Sequence, residues 1–279
     1  MPELPEAEVV ARQIRAHLLG AQLNDCWVGR ADIVREGLPT LPWYCGARLE
    51  EVARYGKSVA LGFHKEGELR YVVAELGMTG LLLFRATQTK HPQHVHVRMS
   101  FTGGQESELR YWNPRRFGRL SLLDRAGLDR YRARRFGVDP LTVPRDEFVR
   151  LIQARRGRLK PLLMHQQVIA GIGNIYANEL LFRTKLHPNR EVSRLREVTI
   201  ARLYDTMQMV LREAISCGGS SVKDFFAPDG TEGRYKQHHL VYGKEGEPCP
   251  NRCGRTIRRL QSERSSFVCP ACQPNRLPR

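Results

Sequence analysis

The chain is short of acidic residues. Against 45 lysines and arginines stand only 29 aspartates and glutamates, which leaves a formal net charge of +16 over 279 residues. A surplus of that size points to a polyanionic partner, nucleic acid first. The basic residues run along the whole length, so no appended tail carries the charge. Long hydrophobic runs are missing too, and none approaches the roughly 18 residues that a membrane span needs. The first ten residues have neither the basic, the apolar nor the small-residue region of a signal peptide. Cysteine comes to seven, an odd number, so a fully paired disulfide framework is excluded. No internal repeat or low-complexity tract is visible. With 41% hydrophobic residues the composition is that of a water-soluble protein, and the expected location is cytosolic or associated with the nucleoid.

Turning to what is there, Val9, Val10, Ile14 and Leu18 fall at helical spacing between residues 5 and 19, with Gly20 as the stop. Residues 21–123 change to short strand-like runs at 58–63, 69–74, 81–84 and 94–100, with Gly103-Gly104 as a hairpin turn. A helix followed by many antiparallel strands predicts a β-sandwich with flanking helices for residues 1–123. Residues 124–145 are charged and end in a proline-marked stretch, so they are expected to form a linker. Residues 146–218 return to helical periodicity, interrupted by Gly171-Ile-Gly173 and closed by Gly218-Gly219. The fold class expected is a multidomain α+β protein. Its divisions are 1–123, the linker, a helical segment at 146–239 and a terminal segment at 240–279.

Four of the cysteines form two close pairs. Cys249-x3-Cys253 and Cys269-x2-Cys272, fifteen residues apart, fit a four-thiolate zinc site on a β-hairpin. Four thiolates leave the ion no open position, so one structural zinc is expected. Arg252, Arg255, Arg258, Arg259 and Arg264 surround the pairs and would suit a hairpin pressed against phosphate. Cys26, Cys45 and Cys217 are expected to pack rather than react.

At the other end, Pro2 follows an initiator methionine that is normally removed before so small a residue. The exposed secondary amine would titrate near pH 8, about two units below lysine. Attack by such an amine on a sugar C1′ yields an iminium, an electron sink for later elimination. Glu3 and Glu6 stand three apart and could face that amine from one helical side. Taken alone, the same segment also reads as an ordinary capped helix start.

Several segments read in order resemble the formamidopyrimidine-DNA glycosylase family over nearly the whole chain. They are Met1-Pro-Glu-Leu-Pro-Glu6, Gly56-Lys57, Leu76-Gly-Met-Thr-Gly80 and Asn113-Pro-Arg-Arg-Phe-Gly118. Then follow Gly171-Ile-Gly-Asn-Ile-Tyr-Ala-Asn-Glu179, Gly218-Gly-Ser-Ser-Val-Lys-Asp-Phe225, Val241-Tyr-Gly243 and the cysteine hairpin. The resemblance implies a helix–two-turn–helix module with a base-capping loop in the helical segment and a zinc-finger hairpin after it. It implies Pro2 as Schiff-base nucleophile, Glu3 as principal acid/base, Glu6 in support, Lys57 as proton donor and phosphate holder, and Arg264 as donor for δ-elimination. Met78, Arg115 and Phe117 resemble a trio that fills the gap left by a flipped nucleotide. His94, Arg155, Asn174, Lys223 and Tyr242 match further DNA contacts. The activity implied is a bifunctional glycosylase/AP lyase acting on oxidised purines in duplex DNA, as a monomer with no small-molecule cofactor.

The chain departs from the family pattern at several points. Glu75 stands where a phosphate-binding histidine is common, and a carboxylate there is expected to repel DNA. His165 replaces an aspartate, Ser220-Ser221 a threonine pair, and Arg155 a lysine, and the first cysteine pair has one extra residue between ligands. Two other functions stay open on these residues: an endonuclease VIII-like enzyme preferring oxidised pyrimidines, and a catalytically silent zinc-hairpin DNA-binding protein. Leu4, in place of the glycine of the endonuclease VIII branch, and the full-length stretch from Ser220 to Tyr235 favour purines.

Overall fold

A computed structural model describes residues 2–89, 91–221, 225–261 and 264–275. Lys223, one of the expected DNA contacts, lies outside the described residues. The chain divides into two compact units, residues 1–135 with 215–236, and residues 136–214 with 237–279.

The first unit opens with helix α1 (Leu4–Leu18). Pro5 sits in its first turn, where a missing N–H costs nothing. The helix stops where Gly20 takes φ +86 and donates its N–H to the Leu49 carbonyl at 2.7 Å. Strands β1 (Gln22–Val28), β2 (Val34–Glu36), β3 (Arg48–Tyr55), β4 (Ser58–Lys65), β5 (Glu68–Glu75), β6 (Leu81–Phe84), β7 (Val95–Thr102), β8 (Glu108–Trp112) and β9 (Arg119–Asp124) follow. They hydrogen-bond in the order β2-β9-β5-β4-β3-β1-β7-β8-β6. Every pairing is antiparallel except β2 with β9.

The joint between β3 and β1 is a single register pair, Gln22 with Arg48. That weak joint lets the sheet fold back on itself. Phe63 of β4 and Phe101 of β7, three strands apart in the order, stack with ring centroids 6.3 Å apart. Both halves feed one buried core that also takes Val10, Ala11, Ile14 and Leu18 of α1. This is the sandwich with a flanking helix that a helix followed by many short strand-like runs predicts.

The segment expected as a linker is partly helical. Helix α2 (Arg125–Arg135) buries Gly127, Leu128 and Tyr131, and the Asp124 carboxylate accepts the Gly127 N–H at 2.6 Å. So few buried positions in so charged a stretch leave little periodicity to read, and packing against β5 and β9 supplies what the sequence pattern lacks.

In the second unit lie α3 (Arg145–Gln153), α4 (Leu159–Met164), α5 (Asn174–Arg183) and most of α6 (Glu197–Ser216). A two-stranded hairpin, β10 (Arg258–Leu260) and β11 (Ser266–Val268), completes it. Phe182 of α5 packs in one cluster with Val241, Cys249, Ile257, Phe267 and Cys269. The helical segment expected at 146–239 does not stay in one unit, because contacts return 215–236 to the first unit. Phe225 is buried in its core, and the Pro228 carbonyl accepts from the Phe84 N–H at 2.8 Å and the Thr87 hydroxyl at 2.7 Å.

Candidate active site

The start of α1 is built as a capping box. The Glu3 N–H donates to Glu6 Oε2 at 2.7 Å, while the Glu3 carboxylate faces the Glu6 amide. Pro2, Glu3 and Glu6 are all buried, the two carboxylates at only 1% exposure each. The second oxygen of Glu6 accepts the Ser220 N–H at 2.7 Å, so the turn after α6 closes over the first turn of α1. Gly219 is required there twice over. Its φ is +82, and a Cβ would stand 3.0 Å from Glu6 Cγ and Oε1. Gly233 then lies against the Gly218 and Gly219 carbonyls, and the Tyr235 N–H donates to the Gly219 carbonyl at 3.0 Å. Both ends of the 220–235 stretch are thereby fixed beside the paired carboxylates.

Lys57 is half-buried in the two-residue hairpin between β3 and β4, behind Gly56 with φ +57. One arginine ties this hairpin to α1. Arg54 binds Glu8 at 2.9 Å and reaches the Gly56 carbonyl at 3.3 Å. Burial pushes the Glu8 carboxyl up, but the hydrogen bonds and charges of Arg12 and Arg54 outweigh it and hold the group below its ordinary value.

Two loops of the first unit meet back to back. Gly77, at φ +62, lies so close to Gly118 that a Cβ would fall 2.5 Å from the Gly118 nitrogen. Buried Asn113 holds the pair, donating to the Gly118 carbonyl at 3.2 Å and to the Tyr111 hydroxyl at 3.1 Å. The Tyr111 hydroxyl in turn donates to the Glu75 carbonyl at 2.7 Å. On this rigid base stand three side chains in water: Met78 at 40% exposure, Phe117 at 56%, and Arg115, whose guanidinium covers the Phe117 ring at 4.6 Å. Exposing an aromatic and a methionine on turns whose stems are so constrained suits insertion into a base stack. His94 is half-buried, its ring edge-on to Trp112 at 6.4 Å.

In the second unit, fully buried Glu179 of α5 gathers three consecutive amides. It accepts the Leu240 N–H at 2.8 Å, the Val241 N–H at 3.0 Å and the Tyr242 N–H at 2.9 Å. Asn178 accepts the Phe267 N–H at 2.8 Å, which ties α5 to β11. Asn174, half-buried, opens α5 directly after Gly173, with Gly171 at φ +91 before it. Gln166 braces that turn, accepting the Gly171 N–H at 2.8 Å and donating to the Ile172 carbonyl at 2.9 Å. Lys160, at 4% exposure, donates to the Ser265 carbonyl at 2.7 Å, the Ser266 hydroxyl at 2.8 Å and the Arg264 carbonyl at 3.3 Å. Arg264 and Arg155 are themselves exposed.

The sulfurs of Cys249, Cys253, Cys269 and Cys272 all lie within 4.8 Å of one another. A tetrahedral zinc with Zn–S bonds of about 2.3 Å needs sulfurs about 3.8 Å apart. Cys249 to Cys272 at 3.7 Å meets that spacing, and Cys253 to Cys269 at 3.4 Å comes near it. Burial pushes the Cys249 thiol up to about 12, and a cation among the sulfurs would favour the thiolate form.

The comparisons agree with this geometry. The family model described as the formamidopyrimidine-DNA glycosylase N-terminal domain matches residues 1–120, and its H2TH domain matches residues 136–226. A zinc finger found in FPG and IleRS matches residues 246–275. A formamidopyrimidine-DNA glycosylase of Solibacter usitatus is 37% identical over 276 residues, covering 98% of this chain and 99% of the relative. The chain belongs to the formamidopyrimidine-DNA glycosylase family.

Solved structures of formamidopyrimidine-DNA glycosylases match as closely in shape. MutM (Fpg) of Thermus thermophilus has a TM-score of 0.84 at 36% identity, covering 99% of this chain and 100% of that one. The Lactococcus lactis enzyme in complex with a Fapy-dG-containing DNA has a TM-score of 0.85 at 28% identity, covering 98% and 100%. The four clustered cysteines and the matching zinc-finger model establish one structural zinc. Among the described residues no helix is long and apolar enough to cross a membrane.

Of the expected site residues, the first unit carries Pro2, Glu3, Glu6, Lys57, Met78, His94, Arg115 and Phe117. The second carries Arg155, Asn174, Tyr242, Arg264 and the four cysteines. Sequence reasoning missed the side chains that hold these in place: Glu8 with Arg54, Asn113, Lys160, and Glu179 as the anchor of the 240–242 turn. Asn113 and Glu179 stood inside the quoted motifs. What assigns their work is burial, which no motif records. Glu75 does not stand as a bare carboxylate, since Arg35 and Arg135 pair with it.

Proposed function

We propose that this family member excises oxidised purines, 8-oxoguanine and formamidopyrimidines, from duplex DNA in base excision repair and then cuts the strand, with the Pro2 nitrogen as nucleophile. The buried Glu3–Glu6 pair around Pro2 carries the reading, in a family whose Lactococcus lactis member is seen on Fapy-dG-containing DNA. Once Met1 is removed, the Pro2 nitrogen attacks the sugar C1′. The C1′–N9 bond breaks, and the purine leaves with that electron pair and a proton. Glu6 accepts an amide proton on each oxygen, from Glu3 and from Ser220, so it serves as a fixed anion beside the developing cation. The family resemblance gives the proton transfers to Glu3, whose carboxylate faces the Glu6 amide at the N-cap.

Ring opening leaves a C1′ iminium on Pro2. Loss of a C2′ proton expels the 3′ phosphate, a second elimination expels the 5′ phosphate, and water releases the sugar fragment from the amine. Lys57 and Arg264 supply protons and bind the phosphates that leave. Flipping the target nucleotide costs a few kcal/mol, which Met78, Phe117 and Arg115 offset by filling the gap. His94, Arg155, Asn174, Lys223 and Tyr242 hold the backbone. In this reading the enzyme acts as a monomer on nucleoid DNA and holds one structural zinc.

Borohydride trapping on oligonucleotides bearing one lesion each tests this reading. The expected result is a covalent complex with 8-oxoguanine, formamidopyrimidine and abasic duplexes, mapped by mass spectrometry to Pro2. A cross-link mapped to Lys57, or trapping confined to oxidised pyrimidines, would overturn it.

A further inference from the structure

Glu75 closes β5 immediately before the Met78 turn, and it gathers arginines from separate elements. Arg35 of β2 binds it through two nitrogens, at 3.0 Å to Oε1 and 3.3 Å to Oε2. Arg135, at the end of α2, reaches Oε1 at 3.2 Å and lies over the Tyr131 ring at 4.8 Å. Arg119 is the cross-strand partner of Glu75, and its guanidinium donates to the Gly118 carbonyl at 2.8 Å in the stem of the Phe117 loop. Tyr131 and Ser58, hydroxyl to hydroxyl at 3.1 Å, complete the base of the cluster one residue from Lys57. Burial holds the Glu75 carboxyl above its ordinary value, with Arg35 and Arg119 pulling the other way and Glu36 adding to the rise. Three arginines against two carboxylates leave the cluster positive.

The carboxylate is 16% exposed, whereas the Arg35 and Arg135 side chains are 41% and 35% exposed. A guanidinium carries five N–H donors in a planar fork, more than this carboxylate takes up. The half-buried acid, hydrogen-bonded to Arg35 through Oε2 and within ion-pair reach of Arg135, thus draws together two bases whose outer edges stay in water. Both loops that insert into the stack spring from the strands β5 and β9 that carry Glu75 and Arg119. A duplex entered by Met78 and Phe117 must bring its sugar-phosphate backbone past the stems of those loops.

We propose that Arg35 and Arg135, held in a fixed pair by Glu75, clamp a DNA backbone phosphate at the foot of the inserting loops. The proposal rests on the DNA-binding reading above. It reverses the expectation from sequence for Glu75, which becomes a positioning residue for phosphate-binding arginines instead of a source of repulsion.

The test is a titration of zinc-loaded full-length protein against an abasic-analogue duplex, by fluorescence anisotropy over a sodium chloride series. Borohydride trapping of the wild type on an abasic duplex and thermal melting of every variant run alongside. Each phosphate contact contributes about 0.9 to the slope of log affinity against log salt. Arg35→Ala and Arg135→Ala should each lower the slope by about that amount. Glu75→Ala removes a negative charge, yet it should weaken binding, because the two arginines lose their common anchor. Unchanged slopes in both arginine variants, whatever their melting temperatures, would overturn the clamp and leave a structural ion pair. Tighter binding by Glu75→Ala would overturn the positioning role. Should the wild type trap normally while those slopes stay flat, only the clamp falls. A wild type that neither binds nor traps would bring down the functional reading as well.

Discussion

At the scale of single side chains, the paired carboxylates at the start of α1 brace each other through the backbone. Glu6 is held on each oxygen by a backbone amide. The Glu3 carboxylate, at the N-cap next to Pro2, faces the Glu6 amide, and the proposed mechanism gives Glu3 the proton transfers. Glu3→Gln should therefore lower single-turnover excision of 8-oxoguanine by about 100-fold or more, the usual worth of a general acid/base, with duplex affinity nearly unchanged. Normal excision by that variant would remove Glu3 from its role. Gly219→Ala tests the support of Glu6. It forces a side chain into the left-handed region, at roughly 1–2 kcal/mol, and presses on the Glu6 carboxylate. The expected outcome is a lower melting temperature together with slower excision. A variant that melts lower but excises at full rate would show that Glu6 needs no bracing from this turn.

Elements carry the exposed groups, and the anchors within them are buried. Glu179 lets α5 hold the 240–242 turn, and its replacement by glutamine is informative because only one of the two oxygens survives. The amide oxygen can stand for Oε1, but the NH2 then confronts the Leu240 N–H, donor against donor. Loss of that bond should cost about 1–3 kcal/mol, read by thermal melting, and should weaken DNA binding through Tyr242. The paired loops make a different prediction. Phe117→Ala should slow excision from an 8-oxoguanine duplex more than cleavage at a pre-formed abasic site, where no base has to be extruded. Equal losses in the two assays would assign Phe117 to general binding.

At the scale of the whole molecule, zinc belongs to the packing of the second unit. Cys249 and Cys269 share one buried cluster with Phe182 of α5 and with Val241, so the metal site and the helix are a single core. Cys269→Ser should release zinc, measured by metal analysis. It should also lower the melting temperature and abolish strand cleavage, since the segment bearing Arg264 leads directly into β11. Full zinc content with normal cleavage in that variant would separate the hairpin from function.

The sequence by itself determined the family and the four-cysteine zinc site. Pro2, Glu3, Glu6, Lys57 and the four cysteines lie in short local motifs, because the proposed chain-end nucleophile and two close thiol pairs need only neighbouring residues. Hydrophobic periodicity likewise specified α1, the strand-rich region and the helices after it, since burial of one face leaves a mark every few residues. What it did not reveal is long-range. Helix α2 was hidden among arginines, because only three of its positions are buried and packing against β5 and β9 supports the rest. The return of residues 215–236 to the first unit depends on Phe225, Pro228 and the Ser220 amide finding partners far away in sequence. Glu75 shows the limit most plainly. In the sequence it is a lone acid beside a loop expected to meet DNA, while in the fold two arginines, 40 and 60 residues away, pair with it. Local pattern fixes which groups are present, but the partners of a buried charge come from whatever the sheet and its helices bring within about 3 Å, and only the tertiary structure decides that.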